Sequence, residues 1–216
     1  MEVKGVIFDF NGTLFIDHDK HQIAWNKMAL LLRDKAISQE ELYTKLNGVP
    51  NKEIIRYLTR VPLSNQQIQD YSLMKEQFYR EACLNDQEHF HLVKGAEAYF
   101  NLLKQQEISF TIASASIKEN IDFFIHSFHL DKWIDVNTIV YDNGSYTSKE
   151  AMFLEASRRL KVNIEDCLVF EDSLSGIKHA YQAGCKQIIV MNSTESENYR
   201  ELPGVVQIIH DFNEVI

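Results

Sequence analysis

Residues 6–14 constrain the fold more than any other stretch of the chain. The run begins with apolar, β-prone residues, as the end of a buried parallel strand should. It then changes abruptly to a carboxylate, an aromatic ring, an amide, a glycine and a hydroxyl, at Asp9, Phe10, Asn11, Gly12 and Thr13. Ligands of open α/β sheets gather just beyond the carboxyl ends of the strands, and Gly12 lets the backbone turn there without a Cβ penalty. The run therefore predicts a strand that places the Asp9 carboxylate at a ligand site.

Size and composition indicate a globular chain with more than one core. It has 216 residues, 45% hydrophobic and 25% charged, enough for one sizeable core and a smaller second one. The net charge of −9 argues against nucleic acids and anionic membranes, so we expect neither as a partner. We find no signal-peptide pattern and no apolar run of about 20 residues. Three widely spaced cysteines without a CxxC pair favour a reduced, cytoplasmic protein.

Helical periodicity dominates the first part of the chain after residue 15. We expect a helix with an apolar face around residues 23–32 and a second after the capping pattern that begins at Ser38. A third helix should cover residues 51–59, and Ser64 should cap a long helix that ends near Cys83. No convincing strand is present between residues 16 and 90, so this block predicts an all-helical insert.

Strands and helices alternate in the rest of the chain. We predict helices from residue 94 to 103 and over 118–128, 149–160 and 175–183. We predict strands over 109–113, 133–140, 167–170, 187–190 and 205–209, with a turn or hairpin at 141–146. Such alternation predicts a parallel sheet with right-handed crossovers. The expected fold class is α/β: a Rossmann-like parallel sheet core of residues 1–15 and 93–216, with an inserted all-α helical cap domain of residues 16–92.

Polar residues follow or lie near several of the predicted core strands, namely Asp9, Ser114, Lys149 and the pair Glu171 and Asp172. Taken singly, each has an ordinary explanation, because Asp and Ser cap helices and turns and Lys usually lies in solvent. All of them in order on successive elements, with a helical insert after the first, predict one shared site at the carboxyl edge of the sheet.

The whole chain resembles the haloacid dehalogenase-like hydrolases. Within them it resembles the β-phosphoglucomutase-like and phosphoglycolate phosphatase-like subgroup, which has a small α-helical cap. Residues 9–13 resemble the family's first motif, Asp-x-Asp-x-Thr, residues 112–116 the second, Lys149 the third and residues 169–177 the fourth. This sequence departs from the pattern at Asn11, where a second Asp is usual, and at Glu150, where Pro is usual.

The resemblance implies a phosphatase that acts on a small phosphorylated metabolite through an aspartyl-phosphate on Asp9, with Mg²⁺ as cofactor. The implied catalytic residues are Asp9, Asn11, Ser114 and Lys149. The implied phosphate-binding residues are Asn11, Gly12, Ser114, Ala115 and Lys149. The implied metal ligands are Asp9, the backbone carbonyl of Asn11, Asp172, and Glu171 through a metal-bound water.

For the helical block, the resemblance implies a lid that excludes water and selects the substrate. The candidates for substrate contact are His21, Trp25, Asn47, Gly48, Lys52 and Lys75. These residues also have an alternative explanation without substrate contact, in which Trp25 belongs to the core of the cap and the two lysines are solvated helix residues. We expect a monomer or a weak dimer.

Asn11 is the most informative departure from the family pattern, because an amide cannot shuttle a proton. The usual Asp acts as general acid and base, which is typically worth about 10²–10⁴-fold in rate. A β-phosphoglucomutase-like mutase needs that group in both half-reactions, so we rank a mutase below a hydrolase.

Three interpretations of Asn11 stay open. In the first, the protein is a slow or specialised phosphatase whose leaving group needs little protonation, or whose proton comes from His18 or His21. In the second, it is a regulatory module that binds a phosphorylated ligand without turnover. In the third, Asn11 is an engineered trap or a deamidation precursor, since Asn-Gly cyclises readily. A haloacid dehalogenase is disfavoured, because that chemistry needs no metal and would leave Glu171 and Asp172 unexplained.

Overall fold

The computed structural model describes residues 2–46, 49–192 and 199–216. The chain forms two compact units: the segment up to Ile16 together with His91–Ile216, and Asp17–Phe90. We call the first the α/β unit and the second the helical unit. Among the described helices, none is both long enough and apolar enough to cross a membrane.

Helices make up the helical unit. They are α1 His18–Arg33, α2 Gln39–Glu41, which continues into a π-helical turn at Leu42–Leu46, α3 Asn51–Thr59 and α4 Asn65–Asn85. Ser38 and Ser64 each form a capping box, so both predicted helix starts are confirmed. Within residues 17–46 and 49–90 no strand is present, as predicted. A buried apolar cluster packs these helices together: Trp25, Met28, Ala29, Leu46, Ile54, Ile55 and Leu58.

Six parallel strands form the sheet of the α/β unit in the order β3-β2-β1-β4-β5-β6. The strands are β1 Gly5–Phe8, β2 Ser109–Ile117, β3 Val140–Asp142, β4 Cys167–Glu171, β5 Gln187–Met191 and β6 Val205–Ile209. The α-helices between them are α5 Ala96–Gln105, α6 Lys118–Phe128, α7 Lys149–Leu160 and α8 Leu174–Gln182. The predicted α/β class with a parallel, Rossmann-like sheet is confirmed.

Strand β1 is central because it pairs with both β2 and β4. Its last residue, Phe8, is level with Ile112 of β2 and Phe170 of β4, and the Phe8 and Phe170 rings stack with centroids 5.0 Å apart. The polar residues just beyond these three positions therefore meet at one edge of the sheet.

The predicted strand at 133–140 is wrong for most of its length. Val136–Thr138 is a 3₁₀ turn, and β3 begins only at Val140. The side chain of Asp135 accepts a hydrogen bond from the Asn137 N–H at 3.0 Å. Such a local cap offers the backbone an alternative to strand pairing, even where β-branched residues favour a strand.

The segment after β3 is a turn and not a hairpin, because β3 pairs in parallel with β2. The Asp142 side chain accepts from the Gly144 N–H at 2.9 Å, and the Asn143 side chain accepts from the Ser145 N–H at 3.0 Å. Of the two structures predicted for residues 141–146, the turn is thus confirmed.

Candidate active site

Backbone hydrogen bonds fix the loop that follows β1. The Asp9 N–H donates to the Phe170 carbonyl at 2.9 Å, so the sheet ladder continues to Asp9. Next along the chain, the Phe10 carbonyl accepts from the N–H groups of residues 13–15 at 2.9–3.3 Å. Phe10 is fully buried, and its ring stacks on Phe124 of α6 at 4.2 Å. The Asp9 carboxylate is therefore held on a firmly anchored turn.

Gly12 occupies the tightest point of this loop, with a left-handed φ of +83°. A Cβ atom at this position would lie 2.6 Å from Cγ of Asp172. Both the backbone angle and this close approach favour glycine. The Gly12 N–H donates to the Phe15 carbonyl at 2.7 Å, so it is engaged within the loop. Phosphate binding by Gly12 stays a prediction.

Lys149 joins two buried carboxylates. It is the first residue of α7, whose N-cap Ser148 accepts from the third residue of the helix. Its Nζ donates to Oδ1 of Asp9 at 2.6 Å and to Oε1 of Glu171. The second oxygen of Asp9, Oδ2, accepts from Oγ1 of Thr13 at 3.3 Å. The structure thus brings together an aspartate and a lysine that are 140 residues apart in the sequence.

The electrostatics of this cluster leave one ammonium facing two carboxyl groups. Burial raises the pKa of Asp9 to about 7, with the Lys149 charge opposing the shift and Glu171 adding to it. Burial alone would lower the pKa of Lys149, but attraction to Asp9 and Glu171 outweighs it, and the pKa is raised. The ammonium therefore persists at neutral pH, and because it faces two carboxyl groups, the cluster would attract a further cation.

Glu171 is fully buried and accepts hydrogen bonds through both of its carboxylate oxygens. While Oε1 accepts from Lys149, Oε2 accepts from the N–H groups of Asp172 and Ser173 at 2.8 Å and from the Ser173 hydroxyl at 3.1 Å. The Ser173 hydroxyl in turn accepts from the Gly176 N–H at 3.0 Å, which caps α8. One carboxylate thereby fixes both the lysine and the start of the loop that carries Asp172.

The residues of the acidic cluster fit the predicted magnesium. Asp9, Glu171 and Asp172 each offer a carboxylate oxygen within 4.8 Å of the other two. Hard oxygen donors that leave room for water are the ligands Mg²⁺ prefers, and Asp172 is only partly buried. Because Glu171 is already saturated with donors, Asp9 and Asp172 are the carboxylates best placed to bind a metal. The backbone carbonyl of Asn11 as a third ligand stays a prediction.

Asn11 is held by two serine hydroxyls of β2. Its Oδ1 accepts from Oγ of Ser116 at 2.7 Å and from Oγ of Ser114 at 3.3 Å, and the Ser116 N–H donates to Oγ of Ser114 at 3.2 Å. The pairing register of β2 with β3 shifts between Ser114 and Ile117. Sequence reasoning named Ser114 and Ala115 but missed Ser116 as a partner of Asn11. The signal was its spacing, since residues two apart in a strand share a face.

In the helical unit, Lys75 and His21 belong to one buried polar network. Lys75 is 2% exposed, and its Nζ donates to Nδ1 of His21 at 2.8 Å and to Oε1 of Glu76 at 2.9 Å. Nε2 of His21 lies 3.3 Å from Oδ2 of Asp17, which also accepts from the Tyr79 hydroxyl at 2.5 Å. Nothing in the sequence pattern pointed to Asp17, Glu76 or Tyr79.

The other candidates of the helical unit have varied surroundings. Trp25 is 5% exposed and belongs to the apolar cluster, while the Lys75 ammonium lies 5.5 Å from its ring centroid. Lys52 and His18 are exposed. Asn47 and Gly48 lie outside the described residues. The substrate-binding roles of His21, Trp25, Gly48, Lys52 and Lys75 therefore stay predictions.

The comparisons with known proteins agree with this geometry. Residues 3–184 match the family model of haloacid dehalogenase-like hydrolases. A crystal structure of a HAD hydrolase, family IA, variant 3, from Entamoeba histolytica is 34% identical and superposes with a TM-score of 0.91, covering 100% of this chain and 96% of that one. The protein CbbY of Rhodobacter capsulatus is 27% identical over 197 residues, 88% of this chain and 86% of its own.

A third relative has a phosphatase in its name. The phosphorylated carbohydrates phosphatase of Thermotoga maritima is 23% identical over 186 residues, 86% of this chain and 84% of its own. β-Phosphoglucomutases are also among the structural neighbours, at an identity that shows the fold alone. The chain belongs to the haloacid dehalogenase-like hydrolases. The predicted family and the predicted enzyme, a phosphatase of this family, are confirmed.

Proposed function

We propose that the protein is a Mg²⁺-dependent phosphatase that hydrolyses a small phosphorylated metabolite through an aspartyl-phosphate on Asp9. The observation that carries this proposal is the buried Asp9 carboxylate, fixed by Lys149 at the carboxyl edge of the sheet beside Asp172. A positioned carboxylate is a competent nucleophile, and the lysine supplies the positive charge that phosphoryl oxygens require.

The residues take the following parts. Asp9 and Asp172 would hold Mg²⁺ with the backbone carbonyl of Asn11, and the bound ion would neutralise charge on the phosphoryl group. Asp9 attacks phosphorus while Lys149 holds the carboxylate and a phosphoryl oxygen. Ser114 and the backbone N–H group of Ala115 bind the remaining oxygens, while Gly12, whose own N–H donates to Phe15, lets the loop pass close to Asp172.

For the helical unit, we propose a role in substrate choice. The network around Lys75 combines a buried ammonium with the His21 ring, and both groups suit a polar, anionic substrate. Trp25, Gly48 and Lys52 complete the proposed set of contacts. Substituting Lys75 should change KM and the ranking of substrates more than it changes phosphate release from the preferred compound.

The experiment is phosphate release from a panel of small phosphate compounds, with Mg²⁺ and with EDTA. Peptide mapping of freshly purified protein verifies that residue 11 is Asn. The proposal expects release that starts at time zero, is lost with EDTA and is lost in Asp9→Asn. The matched control is Asp122→Asn, the same chemical change at an exposed salt bridge with Lys118, which should retain full activity.

Other outcomes would contradict the proposal. Ligand-dependent thermal stabilisation without release, equal in wild type and Asp9→Asn, would indicate a phosphate-binding regulatory module. Interconversion of two sugar phosphates without net release would indicate a mutase. Release that grows with storage and follows Asp at residue 11 would assign the activity to the deamidated protein.

A further inference from the structure

The carboxamide of Asn11 is hydrogen-bonded to two side chains that are poorly suited to protonate a leaving group. Its oxygen accepts from the hydroxyls of Ser114 and Ser116 at 3.3 and 2.7 Å. A serine hydroxyl is a far weaker general acid than a carboxylic acid, and an amide cannot shuttle a proton. The two serines also fix the side chain, so its position is set by β2 and not by the substrate.

The other polar groups of this site are occupied by one another. Lys149 bridges Asp9 and Glu171. The four donors on Glu171 come from Lys149, the backbone at residues 172 and 173, and the Ser173 hydroxyl. Asp172 belongs to the acidic cluster that fits a metal. Lys149 and Glu171 are thus engaged with each other and with their neighbours, which disfavours either of them as the general acid.

His21, a candidate to replace the missing acid, is also engaged. Its Nδ1 is 2.8 Å from the Lys75 ammonium, which has only protons to donate, so Nδ1 accepts. The ring proton then lies on Nε2, 3.3 Å from the Asp17 carboxylate. Both ring nitrogens are bound inside the helical unit, which disfavours His21 as a proton donor to substrate.

We infer that this site is selective for phosphoryl donors whose leaving group departs as a weakly basic anion, namely acyl phosphates and phosphoanhydrides, and that the phosphoryl group accumulates on Asp9 during turnover. The inference rests on the proposed function and narrows its substrate class. Alkyl phosphates, whose leaving alkoxide needs a proton, are poor substrates of this site.

The two half-reactions balance as follows. An oxygen of Asp9 forms a bond to phosphorus, the bond from phosphorus to the leaving oxygen breaks, and its electron pair departs with a carboxylate or a phosphate, without a proton. Water then attacks the same phosphorus, the bond to Asp9 breaks, and the carboxylate is regenerated with free phosphate. The proton of the attacking water goes to a phosphoryl oxygen or to solvent, since Asn11 cannot take it. This second half-reaction is slow for every donor, so the aspartyl-phosphate builds up.

The test compares wild type with Asn11→Asp on acetyl phosphate, pyrophosphate and glycerol 3-phosphate, in the presence of Mg²⁺. Because the two proteins are compared on the same compound, the intrinsic reactivity of each compound cancels from the ratio. Asn65→Asp, an exposed position at the start of α4, is the matched control for the added charge. Intact mass after rapid acid quench reports the phosphoryl adduct, and tandem mass spectrometry locates it.

The expected result is a split between the two kinds of leaving group. Asn11→Asp should raise kcat/KM for glycerol 3-phosphate about 10²–10⁴-fold more than it raises kcat/KM for acetyl phosphate or pyrophosphate. Wild type should show a burst of the leaving group, acetate or phosphate, and an adduct on Asp9 with one or both of acetyl phosphate and pyrophosphate. Asn11→Asp should show less of each. A burst and an adduct with acetyl phosphate alone would assign acyl phosphates as the substrate class, and a burst and an adduct with pyrophosphate alone would assign phosphoanhydrides.

Two results would overturn the inference, and they are distinguishable from failure of the proposed function. Equal gains of Asn11→Asp in kcat/KM on all three compounds, or steady wild-type turnover of glycerol 3-phosphate without any adduct, would refute the inference and leave a phosphatase standing. Neither phosphate release nor adduct from any compound, in either protein, would refute both.

Discussion

Replacing Gly176 by alanine adds one methyl group at the third residue of α8, directly against the Glu171 carboxylate. A Cβ atom built on Gly176 overlaps all three heavy atoms of that carboxyl group. The end of a glutamate side chain usually moves aside at little cost, but this one is held by Lys149, two backbone N–H groups and a hydroxyl. The substitution must therefore disturb the hydrogen bonds by which Glu171 holds Lys149 and the backbone at residues 172 and 173.

The magnitude follows from opposing effects on the free energy of unfolding. Alanine is the better helix former, by about 1 kcal/mol. Overpacking costs about 1–3 kcal/mol, and displacing a buried carboxylate from one charge-assisted hydrogen bond costs about 1.5–3 kcal/mol more. The balance is a destabilisation of about 1.5–5 kcal/mol, and at about 2–4 °C per kcal/mol the Tm falls by at least about 3 °C.

Thermal unfolding and phosphate release together measure the effect. The control is Ser175→Ala at the neighbouring exposed position, which changes helix propensity in the same direction by about 0.5 kcal/mol without reaching Glu171 and should raise Tm by no more than about 2 °C. Because Glu171 holds Lys149 beside Asp9, Gly176→Ala should also lose most of its phosphate release. A Gly176→Ala protein as stable as wild type or more stable would show that helix propensity dominates and would refute this account of Glu171.

Three further predictions concern the charge cluster, the cysteines and the Asn-Gly bond. Lys149→Met leaves two buried carboxylates without their counter-ion, so urea unfolding without Mg²⁺ should show a free energy of unfolding lower by about 3–5 kcal/mol. Added Mg²⁺ should partly restore it. An unchanged midpoint would contradict the electrostatics described above. Burial raises the pKa of Cys83 and Cys167 to about 12 and that of Cys185 to about 11. Iodoacetamide at pH 8 should therefore label none of these thiols in the folded protein within minutes and all of them in urea, as read by intact mass, and fast labelling of the native chain would be inconsistent with the described core. Deamidation at Asn11 should be at least about tenfold slower in the folded protein than in urea. The reason is that the attacking Gly12 N–H donates to Phe15 and the Asn11 side-chain oxygen accepts from two serines. Equal rates by peptide mapping would show that these contacts do not restrain the loop.

Strand and helix positions were predictable where local signals and tertiary structure agree. Residues 118–128 and 149–160 are helical over the predicted ranges, and the strands at 167 and 205 begin as predicted. Short apolar runs bounded by polar residues mark the buried strands of a parallel sheet, and capping residues such as Ser64 mark helix starts. The order of these elements was enough to predict that Asp9, Lys149 and Glu171 share an edge.

Details that depend on a local cap overriding strand composition, or on a partner distant in the sequence, could not be predicted. Residues 133–140 have the composition of a strand, yet Asp135 caps a 3₁₀ turn there. Strand β2 runs on to Ile117 because its end pairs with β3, a partner that the sequence of β2 does not specify.

The same limit holds for buried charges. A lysine in a polar helix is expected in solvent. Lys75 is instead buried with His21, 54 residues away, and Lys20 is 1% exposed and bonded to Asp86, 66 residues away. The interaction of Ser116 with Asn11 spans 105 residues. Sequence patterns report which face of an element is buried, but they do not report which partner neutralises a charge on that face.

The central claim is that Asp9 is the nucleophile of a Mg²⁺-dependent phosphoryl transfer. Its most direct test is the intact mass of freshly purified wild type, with Asn at residue 11 verified, after incubation with acetyl phosphate and Mg²⁺ and acid quench. We expect one phosphoryl group on Asp9 that is absent with EDTA and absent in Asp9→Asn, accompanied by release of free phosphate. Phosphate release of undiminished rate in Asp9→Asn, or a phosphoryl group located on another residue, would contradict the claim.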